Sequence, residues 1–433
     1  MDFFAICCKS VHFVIIMEIK RDRYLTELIE RKHNTLIKIV TGIRRCGKSY
    51  LLFTLFYRHL IETGTKPDHI ITLNLEDLEN KQYHNPETLL AFIKNRITDQ
   101  EQYYILLDEV QLISDFEALL NSLSHITNAD IYVTGSNSKF LSHDVITEFR
   151  GRGDEIHLFP LSFAEFMSVS EKDRYQSYDD YFKYGGMPFI CTLKTEQQKS
   201  RYLNSLFLET YFIDILERNK FQDTAKLENL IDILSSSIGS LTNPKRIADT
   251  FQSTLHVSIS ETTVKKYLDA LENAFLIKGV KRYDIRGRKY IGTPLKYYFE
   301  DIGLRNVRLN YRQQEENYIM ENIIYNELRV RGFLVDVGVV ERAERDSTGT
   351  VVRKHLEIDF VANMGSKRYY IQSAFTLAGD AKEAQEKKSL LNVNDCFKKV
   401  IITKDYAKRK RDENGILTIG IIDFLLDEHS LDL

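Results

Sequence analysis

A chain of 433 residues is too long for one ordinary core, so two or three domains are expected, and 43% hydrophobic content supports packed structure throughout. The net charge of -3 excludes a uniformly basic nucleic-acid binder and leaves only localised contacts of that kind. Five cysteines, Cys7, Cys8, Cys46, Cys191 and Cys396, form no CxxC pair and no metal-ligand spacing, which suits reduced thiols in a cytoplasmic protein.

In chain order, residues 1–16 (MDFFAICCKSVHFVII) are apolar but too short to span a bilayer, and they lack a basic start or a small-residue cleavage site. Met17 opens a more ordinary sequence, MEIKRDRYL, so the natural start is expected at Met17, with residues 1–16 an upstream extension. No later run reaches transmembrane length, and no membrane contact is expected.

Lys38 to Ser49, KIVTGIRRCGKS, is an apolar strand running into Gly42, four residues, then Gly47, Lys48 and Ser49. This spacing is that of a phosphate-binding loop: glycines let backbone N–H groups converge on one anion, Lys48 reaches the β/γ-phosphates, and Ser49 offers a hydroxyl to Mg²⁺. The helix expected over Ser49 to Glu62 points its positive end at the same phosphates. Ile70 to Asp77 reads as a second buried strand, followed by a helix near Thr88 to Arg96. Tyr103 to Gln111, YYILLDEVQ, places an apolar strand before Asp108 and Glu109, the Walker B pattern. There Asp108 serves the Mg²⁺ shell and Glu109 polarises the attacking water as general base. A further strand from Asp130 ends in Gly135, Ser136, Asn137 and Ser138, where Asn137 or Ser136 can contact the γ-phosphate or the water. The order implies a parallel sheet with helices on both faces and its site at the strands' carboxyl ends. An extra strand between phosphate loop and Walker B marks the catalytic-glutamate class.

The segments GIRRCGKS, LLDEVQ and TGSNS, then FRGRGDEIHLFPLSFAEF and YGGMP, together resemble a family of prokaryotic AAA+ ATPases, over nearly the whole chain from Met17. In that family the ATPase is followed by a poorly characterised C-terminal half. The resemblance implies that Arg152, after Gly151, or its neighbour Arg150 is an arginine finger acting on γ-phosphate charge, in cis or from a neighbour in a homo-oligomer. It also implies a lid-region turn at Gly185, Gly186, Met187 and Pro188.

Tyr202 to Ile238 is helical in pattern. Asn243 caps a short helix opening at Pro244, and a second helix begins near Ser260 with Lys265 and Lys266 on its polar face. Two strand-like pieces around Arg286-Gly287-Arg288 follow, so the region reads as a winged helix-turn-helix. Its hairpin carries Lys278, Lys281, Arg282, Arg286, Arg288 and Lys289 against Asp284 alone, which makes duplex DNA a candidate partner, with a protein partner as the alternative. From about Leu304, alternating helix and strands resemble a PD-(D/E)XK nuclease-like fold. Glu327, Asp359 and Gln372 fall where its metal site would lie, but Gln372 and Ala374 replace the acid and the lysine that cleavage needs, so a binding platform without cleavage is expected.

The expected architecture is α/β: a P-loop NTPase parallel sheet over 17–168, a helical lid over 169–239, a winged helix over 240–303 and a nuclease-like domain over 304–433. The expected function is an ATPase using ATP and Mg²⁺, with hydrolysis driving or gating DNA or protein binding by the C-terminal half. The alternatives are a slow nucleotide-gated switch and a metal-dependent DNA nuclease.

Overall fold

The computed structural model describes residues 18–136, 153–312, 315–345, 351–377, 379–404 and 409–432. Helix α1 (Asp22–Glu30) precedes a five-stranded sheet made of β1 (Ile37–Thr41), β2 (Ile70–Asn74), β3 (Tyr103–Asp108), β4 (Ala129–Thr134) and β5 (Gly153–His157). Every pairing is parallel, in the order β2-β3-β4-β1-β5. The strand lying between β1 and β3 is therefore β4, the last of the three in sequence, while β2 goes to the edge. β1, β3 and β4 are covered on both faces, so they read as near-continuous apolar runs. The one charge inside β1, Lys38, is buried in an ion pair with Asp130.

Helix α2 follows the phosphate loop as one continuous helix over residues 48–62, with a π-type stretch at Leu51–Phe56. Helices α3 (Pro86–Arg96) and α4 (Phe116–Leu123) cover the opposite face. Asn85 caps α3 by accepting the Thr88 N–H, with Pro86 pre-set for the first turn.

The middle of the chain is helical: α5 (Phe163–Ser168), α6 (Arg174–Tyr184), α7 (residues 196–219, with a π-type stretch at Leu206–Phe212), α8 (Thr224–Ser236), α9 (Pro244–Thr254) and α10 (Glu261–Asn273). The helical run expected from Tyr202 to Ile238 breaks at Lys220, which turns left-handed between α7 and α8. Asn243 and Ser260 cap α9 and α10 by accepting the N–H groups of Arg246 and Thr263.

The second sheet has eight strands. They are β6 (Ile277–Asp284), β7 (Lys289–Phe299), β8 (Leu334–Arg345), β9 (Val351–Met364), β10 (Lys367–Ala374), β11 (Lys398–Thr403), β12 (Lys410–Arg411) and β13 (Leu417–Gly420), in the order β12-β13-β11-β10-β9-β8-β6-β7. Helices α11 (Ile302–Arg308), α12 (Glu316–Val330), α13 (Asp380–Leu391) and α14 (Ile421–Leu426) pack around it. The hairpin of the expected winged helix is β6–β7, and Arg282 to Asp284 pair in parallel with Val337 to Val339 of β8. The sheet thus runs across the boundary expected at 303/304. One apolar core joins β1, β3 and β4 through α7, α8 and α10 to Tyr298, Ile323, Ile371 and Val400.

Two glycines make the joint between the regions. Gly185 adopts φ 73°, and a Cβ there would lie 2.4 Å from an Asp301 carboxylate oxygen. At Gly186 a Cβ would lie 2.3 Å from the Leu161 carbonyl oxygen, while its N–H donates to Asp301 Oδ2 at 2.7 Å. The YGGMP segment is a turn seated on Asp301, which also caps α11 through the Leu304 N–H.

Candidate nucleotide site

The phosphate loop connects the end of β1 to α2. Gly42 has φ 140°, and a Cβ on it would sit 2.2 Å from the Leu158 carbonyl oxygen; Gly47, with φ 104°, opens the helix. Both positions demand glycine for conformation or space. Lys48 is buried, and its ammonium donates to the Gly42 and Ile43 carbonyl oxygens at 3.1 and 3.3 Å, 3.9 Å from the Glu109 carboxylate.

Asp108 ends β3 directly across from the loop. Its Oδ2 accepts from the Ser49 hydroxyl at 2.6 Å and its Oδ1 from the Thr134 hydroxyl at the end of β4. Burial pushes the Asp108 carboxyl up to about 6, against the two hydroxyls and Lys48, which favour its charged form. Glu109 turns left-handed, φ 53°, as the strand ends, and its N–H donates to Thr134 Oγ1 at 2.9 Å. Its Oε2 accepts from Ser136 Oγ at 3.0 Å and from the Gln111 side-chain amide. A backbone in this region costs about 1–3 kcal/mol for a side-chain-bearing residue, and such strain clusters at functional sites.

These residues fit a nucleotide with its magnesium. The glycine cradle, a lysine hydrogen-bonded to neutral loop carbonyls, and a hydroxyl beside a carboxylate are the donors that a phosphate and a hard cation require. Gly42, Gly47, Lys48, Ser49, Asp108 and Glu109 are brought together as the spacing implies. Of the two sensor candidates, Ser136 touches Glu109, whereas Asn137 lies outside the described residues, as do Arg150 and Arg152. Thr134, Gln111 and Arg44 were not expected at the site. Thr134 had a signal, a hydroxyl-bearing residue closing the apolar strand next to Walker B.

The C-terminal constellation differs from the expected one. Glu327 is buried on α12 but bonds Arg331 at 2.7 Å, which in turn holds Ser430 and the Phe424 carbonyl. Its place beside Asp359 is taken by Glu321, six positions earlier, on a different face of a helix of about 3.6 residues per turn. Gln372 is not beside Asp359 either. Along β10, Tyr370 and Ala374 pack on one face of the sheet and Tyr369 and Ile371 on the other, so period two puts Gln372 toward α13, where Ser389 Oγ lies 3.4 Å from it. The Ser373 N–H is what meets Asp359, at 2.8 Å.

At the centre of this cluster is an unexpected cation, the ammonium of Lys296 from β7. It lies 2.8 Å from Glu321, 2.8 Å from Glu357 and 3.7 Å from Asp359, with the Tyr298 hydroxyl donating to Glu321 at 2.5 Å. Burial opposes the charged form of Lys296, but the three carboxylates, Glu321 foremost, outweigh it and hold the ammonium well above its ordinary range. Burial, with the Glu321 charge added, pushes the Asp359 carboxyl well up. The candidate DNA residues Lys265 and Lys266 on α10, and Arg286, Arg288 and Lys289 at the β6–β7 turn, are all exposed.

Residues 34–167 match the AAA domain family, and residues 175–315 match a second family, Domain of unknown function (DUF8612). An "Uncharacterized protein" of Haemophilus influenzae is 35% identical over 415 residues, covering 94% of this chain and 98% of the relative. The chain belongs to this family of AAA-domain proteins. Another family relative, MJ1544 of Methanocaldococcus jannaschii, is 26% identical over 363 residues, 81% of this chain and 77% of that one. Among solved structures, the Walker-type ATPase paby2304 of Pyrococcus abyssi is similar at 15% identity and TM-score 0.49, over 67% of this chain and 96% of the other. Orc1 of Aeropyrum pernix, solved in complex with DNA, is similar at 13% identity and TM-score 0.30, over 68% and 93%. No helix among the described residues of this AAA-domain protein is long and apolar enough to cross a membrane.

Proposed function

We propose that this protein is a Mg²⁺-dependent ATPase whose nucleotide cycle gates binding by its C-terminal half, with duplex DNA the partner that charge favours. The observation that carries the ATPase reading is the Asp108–Glu109 pair: one carboxylate is engaged by Ser49 and Thr134, and the next is held apart by Ser136 and Gln111. Two adjacent carboxylates with separate partners can take separate roles, cation shell and general base. Lys48 and the loop N–H groups bind the phosphates; Ser49 and Asp108 hold Mg²⁺, which when bound neutralises charge on the phosphate oxygens. Glu109 takes the proton of the attacking water, oriented by Ser136 and Gln111.

The DNA part of the reading rests on the exposed cations at the β6–β7 turn, where Arg286, Arg288 and Lys289 stand close together in sequence on a rigid hairpin. Lys296 already pairs with Glu321 and Glu357 where a metal would otherwise sit, which favours a binding platform over cleavage. ATP turnover measured with Mg²⁺, with and without a random-sequence duplex, tests both parts. Turnover that needs Mg²⁺ and changes in rate with duplex is expected. Absent turnover would sink the ATPase reading, and turnover indifferent to duplex would sink the gating.

A further inference from the structure

Arg44 lies inside the phosphate loop, and its guanidinium reaches three elements. Nε is 3.3 Å from Ser136 Oγ, Nη1 is 3.4 Å from Asp214 Oδ1 on α7, and Nη2 is 3.9 Å from Glu76 Oε1. Ser136 is the hydroxyl that donates to Glu109, and Glu109 is the carboxylate that Lys48 approaches. The guanidinium therefore stands one hydroxyl away from the end of the site where hydrolysis would occur.

We propose that Arg44 binds the third phosphate of a nucleoside triphosphate and, in doing so, releases Asp214, so that α7 is held differently in the triphosphate and diphosphate states. This rests on the nucleotide reading above. Three observations make the exchange physically easy. First, the Arg44 contacts are long: charge-assisted hydrogen bonds run at about 2.7–2.9 Å, and none of these comes that close. Second, Asp214 keeps a tighter partner when Arg44 leaves, because Arg218 Nε lies 2.8 Å from the same oxygen. No buried carboxylate is stranded, which would otherwise cost several kcal/mol. Burial pushes the Asp214 carboxyl up, while Arg218, ahead of Arg44, favours its charged form, so the carboxylate keeps its principal cation when Arg44 turns away.

Third, the backbone of Arg44 is fixed while its side chain is not. The buried Tyr211 hydroxyl, also on α7, donates to the Arg44 carbonyl oxygen at 2.5 Å, whereas the Arg44 side chain keeps 28% of its exposure. A pinned main chain with a partly exposed side chain can redirect its guanidinium without moving the loop. An added phosphate is a stronger and more geometrically matched partner for a guanidinium than a carboxylate already paired elsewhere. Arg44 is then the residue that tells three phosphates from two, and Asp214 is how α7 learns of it.

The experiment measures affinity for ADP and for a non-hydrolysable ATP analogue, both with Mg²⁺, by calorimetry in the full chain and in Arg44→Ala, Asp214→Asn and the double variant. Arg44→Ala is expected to weaken analogue binding by roughly tenfold to a hundredfold, the worth of a charge-assisted hydrogen bond, and to change ADP binding by less than about threefold. Asp214→Asn should raise the preference for the analogue over ADP, and that gain should vanish in the double variant. Equal loss of both ligands in Arg44→Ala, or a gain that survives without Arg44, overturns the proposal. Should Arg44→Ala fail to fold, Asp214→Asn decides alone, and an unchanged preference overturns it. A parent chain that binds neither ligand removes the nucleotide reading itself, and this inference with it.

Discussion

Lys48 and Lys296 are both buried beside carboxylates, and their surroundings are built in opposite ways. At the phosphate loop, Lys48 bonds two neutral carbonyl oxygens and stays 3.9 Å from Glu109 Oε1, while Ser136 and Gln111 engage the other oxygen, Oε2. In the C-terminal sheet, Lys296 touches Glu321 and Glu357 at 2.8 Å each, with Asp359 close behind. The first arrangement leaves an ammonium whose partners an anion can replace at little cost. The second is closed on itself, because any ligand would have to displace the charge-assisted contact between the buried Lys296 and Glu321. Similar residues, differently paired, make one site for a ligand and one joint between β7, β9 and α12.

The largest effect separating the two lysines should be on stability. Lys296→Met leaves three carboxylates around an apolar side chain, and breaking a buried pair in this way costs about 3–5 kcal/mol. Lys48→Met gives up hydrogen bonds to two loop carbonyls and a looser 3.9 Å approach to Glu109, and should cost less, roughly 1–2 kcal/mol. Urea unfolding of both variants checks this, and equal costs would erase the contrast.

The seam between the regions should respond to pH. Burial pushes the Asp301 carboxyl up to about 6, while the N–H groups of Gly186 and Leu304 favour its charged form. A carboxyl that binds its proton more tightly folded than unfolded contributes stability that is full below about pH 4. That contribution is lost as pH rises through about 6, by up to roughly 3 kcal/mol. Asp301→Asn should flatten the stability profile between those values, and a slope identical to the parent's would show that Asp301 titrates as an ordinary surface acid.

The smallest of these effects concerns the hairpin. Neutralising Arg286, Arg288 and Lys289 together should weaken duplex binding for every sequence and reduce the salt slope by up to about 3, near 0.9 for each DNA phosphate no longer neutralised. An unchanged slope in the triple variant would move the partner from DNA to protein.

How far the sequence carried depends on the range of the interaction concerned. The phosphate loop and Walker B were legible because their function needs fixed types at fixed spacing after an apolar strand, and Gly42, Lys48 and Asp108 fall where that chemistry requires. The cap at Asn243 and the helix start near Ser260 were legible because such signals act over three positions. The edge placement of β2 and the joining of β6 to β8 were not, since both depend on pairing between distant segments. Lys296 was invisible for the same reason: its three partners lie on α12 and β9, and no local pattern announces them. Glu321 was not expected, since it shares α12 with Glu327 and only the packing of that helix says which face meets the sheet. Arg44 was in plain view inside the motif, but variable loop positions carry no spacing rule, so its tie to Asp214 emerged only from the fold.

The account stands most directly on Glu109, and one pair of measurements on one preparation tests it: nucleotide affinity and Mg-ATP turnover in Glu109→Gln beside the parent. Affinity should be retained while turnover falls by about a hundredfold to ten-thousandfold, the usual worth of a general base. Turnover at the parent rate would contradict the assignment of this site as a hydrolytic one with Glu109 as its base.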